Sequence, residues 1–150
     1  MFWRKKKNYP IQVCDWLAQV ERRLWVTTHA MTVRTPVGDV VIEDGFGTDL
    51  FSKVPDTDHP EFWLASVVHD FMRTSPLWTR LEADIAFGFL MHTATITIRE
   101  RMAVERNERQ ANKECIRLMR VASLYLIGVS GVIGSGYIAF GKLKDKLLGR

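Results

Sequence analysis

Four side chains in the middle of the chain are of the types that hold a cation or activate water: Asp49, His69, Asp70 and Asp84. A neutral imidazole nitrogen and carboxylate oxygens are the ligands that zinc and similar divalent ions take, and a site that keeps one water in its remaining position makes a nucleophile for hydrolysis. In that chemistry Asp49, His69 and Asp84 are the metal ligands, and Asp70 is the catalytic group, orienting the imidazole or acting as general base. Thr48, Arg73 and Arg80 stand beside them as supporting polar groups. The same types also build a network with no chemistry: Asp49 caps a turn or the following helix, His69 hydrogen-bonds it, and Asp84 pairs with Arg73 or Arg80. Buried polar groups need such partners whether or not a reaction takes place.

Other reaction centres find less support. Ser52 lacks a Gly-x-Ser-x-Gly elbow, and neither Cys14 nor Cys115 has an activating neighbour. The two cysteines stand far apart, without a Cys-x-x-Cys or Cys/His cluster, so neither a zinc finger nor a disulfide framework is indicated and a reducing compartment of synthesis fits. No nucleotide-binding glycine pattern is present. A net charge of +4 and a pI near 9.3 permit contact with phosphates or anionic lipid, but the excess is too small to point to nucleic acid as a partner.

The elements that must position these groups can be read from periodicity. A chain of 150 residues, 47% hydrophobic, suffices for one domain with a real core. Val13, Trp16, Leu17 and Val20 follow the i, i+3, i+4, i+7 spacing of an amphipathic helix, which predicts a short helix over 12–23. Leu24 to Arg34 and Val37 to Glu43 are rich in β-branched and aromatic types and predict two antiparallel strands. Glu43 to Asp49, with Gly45 and Gly47, predicts an ordered loop carrying Asp49.

Pro60 opens a helix ending near Arg73, and the capping box Thr79 to Glu82 opens another that runs through Met91. Thr93 to Ile98 threatens to interrupt that helix, after which Arg99 to Arg120 returns to a charged, solvated helix with Arg101/Glu105 and Glu105/Arg109 pairs. Trp63, Phe71, Trp78, Phe87 and Phe89 have the spacing of a core between helices. Val121 to Phe140 carries no charge and has the length of a membrane span, although Gly128, Gly131, Gly134 and Gly136 lower its hydrophobicity.

The N-terminal arm couples Phe2, Trp3 and Tyr9 to a basic run, Arg4 to Lys7, which could anchor on a protein or lipid surface. No apolar stretch of signal-peptide length follows that run before Asp15. The expected fold is therefore α+β: a small antiparallel β element packed against three or four helices, in a single domain with a long C-terminal helical region. Residues 1–23 form the arm and short helix, 24–98 the core, and 99–150 the charged helix followed by an apolar, glycine-containing helix.

Three segments in order carry a family resemblance: Gly45-Phe46-Gly47-Thr48-Asp49 with Ser52 and Pro55, then Val68-His69-Asp70-Phe71, then Arg80-Leu81-Glu82-Ala83-Asp84-Ile85-Ala86-Phe87. Together they resemble the domain-of-unknown-function 1353 family of small phage and prophage proteins. Phe51 stands where that family has a small residue, the spacing from Ser52 to Pro55 is one residue longer, and Glu100 to Glu114 looks like an insertion. The resemblance implies a protein made in a bacterial host cytoplasm from a phage or prophage, with other phage proteins as partners, and carries no activity. Two functions are expected: a noncatalytic virion or assembly component, or a metal-dependent hydrolase built on the Asp/His cluster, with cell-wall material as its candidate substrate. A small membrane-associated phage protein anchored by 121–140 is the alternative. The His-Asp pair also resembles the His-Asp phosphohydrolases, with His29 or His59 and Asp84 completing the set. That fold is all-helical, whereas His29 lies in a strand-like run.

Overall fold

The computed structural model describes residues 10–50 and 59–129. Among the described residues six strands come first: β1 (Ile11–Cys14), β2 (Leu17–Glu21), β3 (Leu24–Thr27), β4 (Met31–Thr35), β5 (Gly38–Ile42) and β6 (Gly47–Thr48). Three helices follow: α1 (Pro60–Thr74), α2 (Arg80–Glu105) and α3 (Glu108–Val129). Every strand pairing is antiparallel, giving a four-stranded sheet in the order β1-β2-β3-β6 and a separate β4-β5 hairpin.

The helix expected over 12–23 is instead the β1-β2 hairpin and the turn into β3. Bulges between Gln12 and Cys14 and between Gln19 and Glu21 break the strict two-residue alternation, so the apolar positions mimic a helical spacing. The single strand expected over 24–34 is also divided. Thr28 to Ala30 separates β3 from β4, and the two strands join different sheets. The turn from β4 to β5 depends on Gly38, whose φ of +134° is open only to glycine and whose missing Cβ would lie 3.1 Å from the Trp78 ring.

Pro60 takes the first turn of α1, where its missing N–H costs nothing. In the capping box at the start of α2, the Thr79 hydroxyl accepts from the Glu82 N–H and the Glu82 carboxylate accepts from the Thr79 N–H. The expected weakening at Thr93 to Ile98 does not occur. Thr95 and Thr97 donate their hydroxyls to the carbonyls of Met91 and Thr93, and Ala94, Thr95 and Ile98 are buried, so tertiary packing outweighs the low helix propensity of β-branched residues.

The charged stretch 99–120 is not one helix but a reversal. Arg106 ends α2, and the Asn107 carboxamide accepts from the Gln110 N–H to cap α3, which turns back along α2. The Glu105/Arg109 pair of a continuous helix therefore straddles this turn, and Arg101 engages Glu61 rather than Glu105.

Leu17, Val33, Val40, Ile42, Leu50, Phe62, Val67, Val68, Met72, Phe87, Met91, Ile98 and Leu118 form one core shared by strands and helices, which makes the chain a single α+β domain. Phe87 is fully buried, and Trp63, Phe71 and Trp78 pack against the core, but Phe89 is exposed on the outer face of α2. Among the described residues no helix is long and apolar enough to cross a membrane. The arm 1–9, the 51–55 part of the family-like segment, and 130–140 of the apolar segment lie outside the described residues.

Candidate functional site

The loop carrying Asp49 is clamped to the sheet by Thr27. Its hydroxyl donates to the Glu43 carbonyl at 2.6 Å and accepts from the Phe46 N–H at 2.9 Å, and its carbonyl accepts from the Gly45 N–H at 2.8 Å. Phe46 then packs edge-on against Phe71 of α1, with ring centroids 5.2 Å apart, which fixes the loop against the helix.

Thr48 lies at the end of this path, on β6 and buried. Its hydroxyl donates to Asp70 Oδ2 at 2.5 Å and accepts from the Leu50 N–H at 3.0 Å. That second bond holds Leu50 at a φ of +50°, a left-handed conformation that costs a non-glycine residue about 1–2 kcal/mol and here places its side chain in the core.

His69 and Asp70 are adjacent in α1, and successive residues of a helix point roughly 100° apart. They serve different neighbours. His69 faces α2, where its Nε2 lies 2.9 Å from Asp84 Oδ1 and its ring stands edge-on to Phe87. Burial pulls the His69 pKa below its ordinary value, against the opposing pull of Asp84, and the charges of Arg73 and Arg80 push the same way as burial. Asp70 faces the loop. Burial raises its carboxyl pKa from 3.8 to about 6, the Thr48 hydroxyl opposes the rise, and the charge of Asp49 adds to it.

Asp49, Asp70, Thr48 and Arg73 share the wall of an open cleft of about 360 Å³, together with Leu24, Phe46, Gly47 and Thr74. Asp49 is exposed, whereas His69 and Asp84 meet between α1 and α2. The seven predicted site residues therefore divide: Asp49, Asp70, Thr48 and Arg73 at the cleft, His69 and Asp84 between the helices, and Arg80 exposed at the start of α2. His69 bonds Asp84, not Asp49. Among the described residues no three His, Cys, Asp or Glu side chains are grouped to hold a metal ion. His29 is exposed in the break between β3 and β4, and His59 precedes α1 and bonds Glu114, so among the described residues the phosphohydrolase set is not grouped.

A second polar cluster has no local signature in the sequence. His59 Nε2 lies 3.1 Å from Glu114 of α3, while Arg101 of α2 donates to His59 Nδ1 and to Glu61 of α1. Arg117 binds the Glu114 carboxylate and, as the largest cause, holds its pKa down at about 2. The cluster ties the start of α1 to both later helices. Apart from the Glu114/Arg117 pair, three residues apart on α3, its bonds join positions 40 and more apart in the chain, beyond the reach of any local pattern.

Comparison with protein family models, with curated proteins and with solved structures finds no match to this chain.

Proposed function

We propose that the chain is a noncatalytic component of a phage or prophage assembly, in which the Asp/His residues hold the β6 loop and α2 against α1. The observation that carries this reading is the division of the four candidate residues: His69 is closed on Asp84, and Asp70 on the buried Thr48 that sets the Leu50 backbone. Polar pairs satisfied in this way order a loop and a helix crossing without reacting. Supporting it, Leu81, Ile85, Phe89 and Ile96 stay exposed along one side of α2. Rows of apolar side chains facing water are characteristic of surfaces that meet other proteins.

The test combines elemental mass spectrometry of the purified protein with urea unfolding of Asp49→Ala and His69→Ala. The expected result is no stoichiometric metal, no effect of Asp49→Ala on stability, and a loss of about 2 kcal/mol in His69→Ala, which removes a buried ring and its hydrogen bond to Asp84. Stoichiometric metal that Asp49→Ala removes while the fold stays intact would overturn the reading. Detection of the chain in purified virions by peptide mass spectrometry tests the phage context.

One observation favours a second reading, a hydrolase directed at cell-wall material. Asp70 lines an open cleft beside Asp49 with its carboxyl raised to about 6, the range in which a carboxyl can donate a proton near neutrality. A bound divalent cation at that cleft would supply the activated water of the metal-dependent form. Release of dye from labelled peptidoglycan, abolished in Asp70→Asn, would establish this reading over the first.

A further inference from the structure

The C-terminal end of α2 and one face of α3 line a groove of about 550 Å³ that shares no lining residue with the Asp70 cleft. Its apolar lining includes Met102 and Val121, flanked by Ile116 and Leu124, which are more than half exposed. Arg106, Lys113 and Arg120 rim it. All three are exposed, and among the described residues none of their side chains is hydrogen-bonded or ion-paired. Among the described residues the one acid in the lining, Glu114, is engaged by Arg117 and His59, so the rim keeps an uncompensated positive charge over an apolar floor.

We propose that this groove is the docking site for an acidic amphipathic helix of a partner protein, an inference that deepens the assembly reading and rests on it. Charge selects among the possible occupants. The chain's own terminus brings Lys142, Lys144, Lys146 and Arg150 against a single acid, Asp145, and would meet a rim of its own sign. A second copy offering the same face would set three cations against three, and like charges brought together across an interface cost several kcal/mol.

Shape selects further. The lining residues recur along α3 from Gln110 to Leu124 at spacings of three and four, a strip about 21 Å long at 1.5 Å per residue. A furrow of that length accepts the apolar stripe of a four-turn helix, with its flanking Glu or Asp side chains reaching the cations on the rim. A flat anionic bilayer would meet the rim and leave the floor uncovered.

The experiment uses the full chain and a fluorescent synthetic peptide of about 15 residues, with Leu along one helical face and Glu on both flanks, read by fluorescence anisotropy. A matched peptide with Lys in place of Glu is the control. The expected result is binding of the acidic peptide only, weakened at least about tenfold by raising the salt from about 50 to about 500 mM, as screening requires. Arg106→Glu/Lys113→Glu should lose the acidic peptide and gain the basic one, and Leu124→Asp should bind neither.

Circular dichroism melts check that these surface variants stay folded. Equal binding of both peptides, no binding of either, or binding to phosphatidylglycerol vesicles without binding to the acidic peptide would overturn the proposal. Peptidoglycan release or metal binding at the Asp70 cleft would remove the assembly reading and leave the anisotropy result unchanged, so the two failures can be told apart.

Discussion

Replacing Asp70 by Asn should stabilise the protein at neutral pH and lose that advantage in acid. The Asp70 carboxyl titrates at about 6 in the folded chain against an ordinary 3.8, chiefly because burial disfavours the charged form. A difference of about 2 pKa units corresponds to about 3 kcal/mol by which the folded state resists ionising this group above pH 6. Asn keeps an acceptor for the Thr48 hydroxyl, but its amide hydrogens need partners in a partly buried place, which returns roughly 1 kcal/mol. The net expectation is a gain of about 1–2 kcal/mol at pH values above about 6.

The sign follows from proton binding. Between about pH 6 and pH 4 the folded state holds the Asp70 proton more tightly than the unfolded state, so this group's contribution to stability rises as the pH falls and is complete below the unfolded value of 3.8. Urea unfolding followed by tryptophan fluorescence, at about pH 7.5 and about pH 4, reads the difference between variant and parent, in which the shared carboxylates cancel. A variant destabilised at neutral pH by as much as in acid would refute the reasoning. It would mean that the folded protein needs the ionised carboxylate, as a cation in the cleft would require.

Three further outcomes follow from the same geometry. Thr48→Val removes the donor to Asp70 and the acceptor for the Leu50 N–H, and should cost about 2–3 kcal/mol in urea unfolding, more above pH 6, where the carboxylate is charged, than below. The His69 imidazole should show an NMR midpoint below 6.5, and the stability it contributes, present above pH 6.5, should fall away as the pH drops through its lower folded value; a midpoint above 6.5 would mean that Asp84 outweighs burial. Gly38→Ala forces a side chain onto a φ of +134° and against Trp78 at 3.1 Å, and should lower the melting free energy by about 2 kcal/mol; an unchanged melting temperature would show that the β4-β5 turn can adopt another conformation.

Some of the molecule was legible because the signals are local. Pro60 at the first turn of α1, the Thr79/Glu82 box of α2 and the alternation of β5 act within one turn or one strand, and each element appears where those residues stand. The β1-β2 hairpin was hidden by its bulges, which shift the phase of the apolar positions. The reversal at Asn107 was hidden because a single asparagine cap inside a charged run is locally compatible with a continuing helix.

The candidate site was legible in its residue types and not in their partners. The amino-acid sequence by itself determined that the chain is α+β, that Asp49 follows a glycine-bearing loop, and that His69 and Asp70 share one helix with Asp84 on the next. Only the tertiary structure decided that these residues separate, with His69 on Asp84 and Asp70 on Thr48. It also decided that His59, Glu61, Arg101 and Glu114 form a second cluster, and that Arg106, Lys113 and Arg120 rim a groove. The reason is geometric: side chains one position apart on a helix point about 100° from each other, so the pairing of vicinal groups depends on what the remainder of the chain brings to each side.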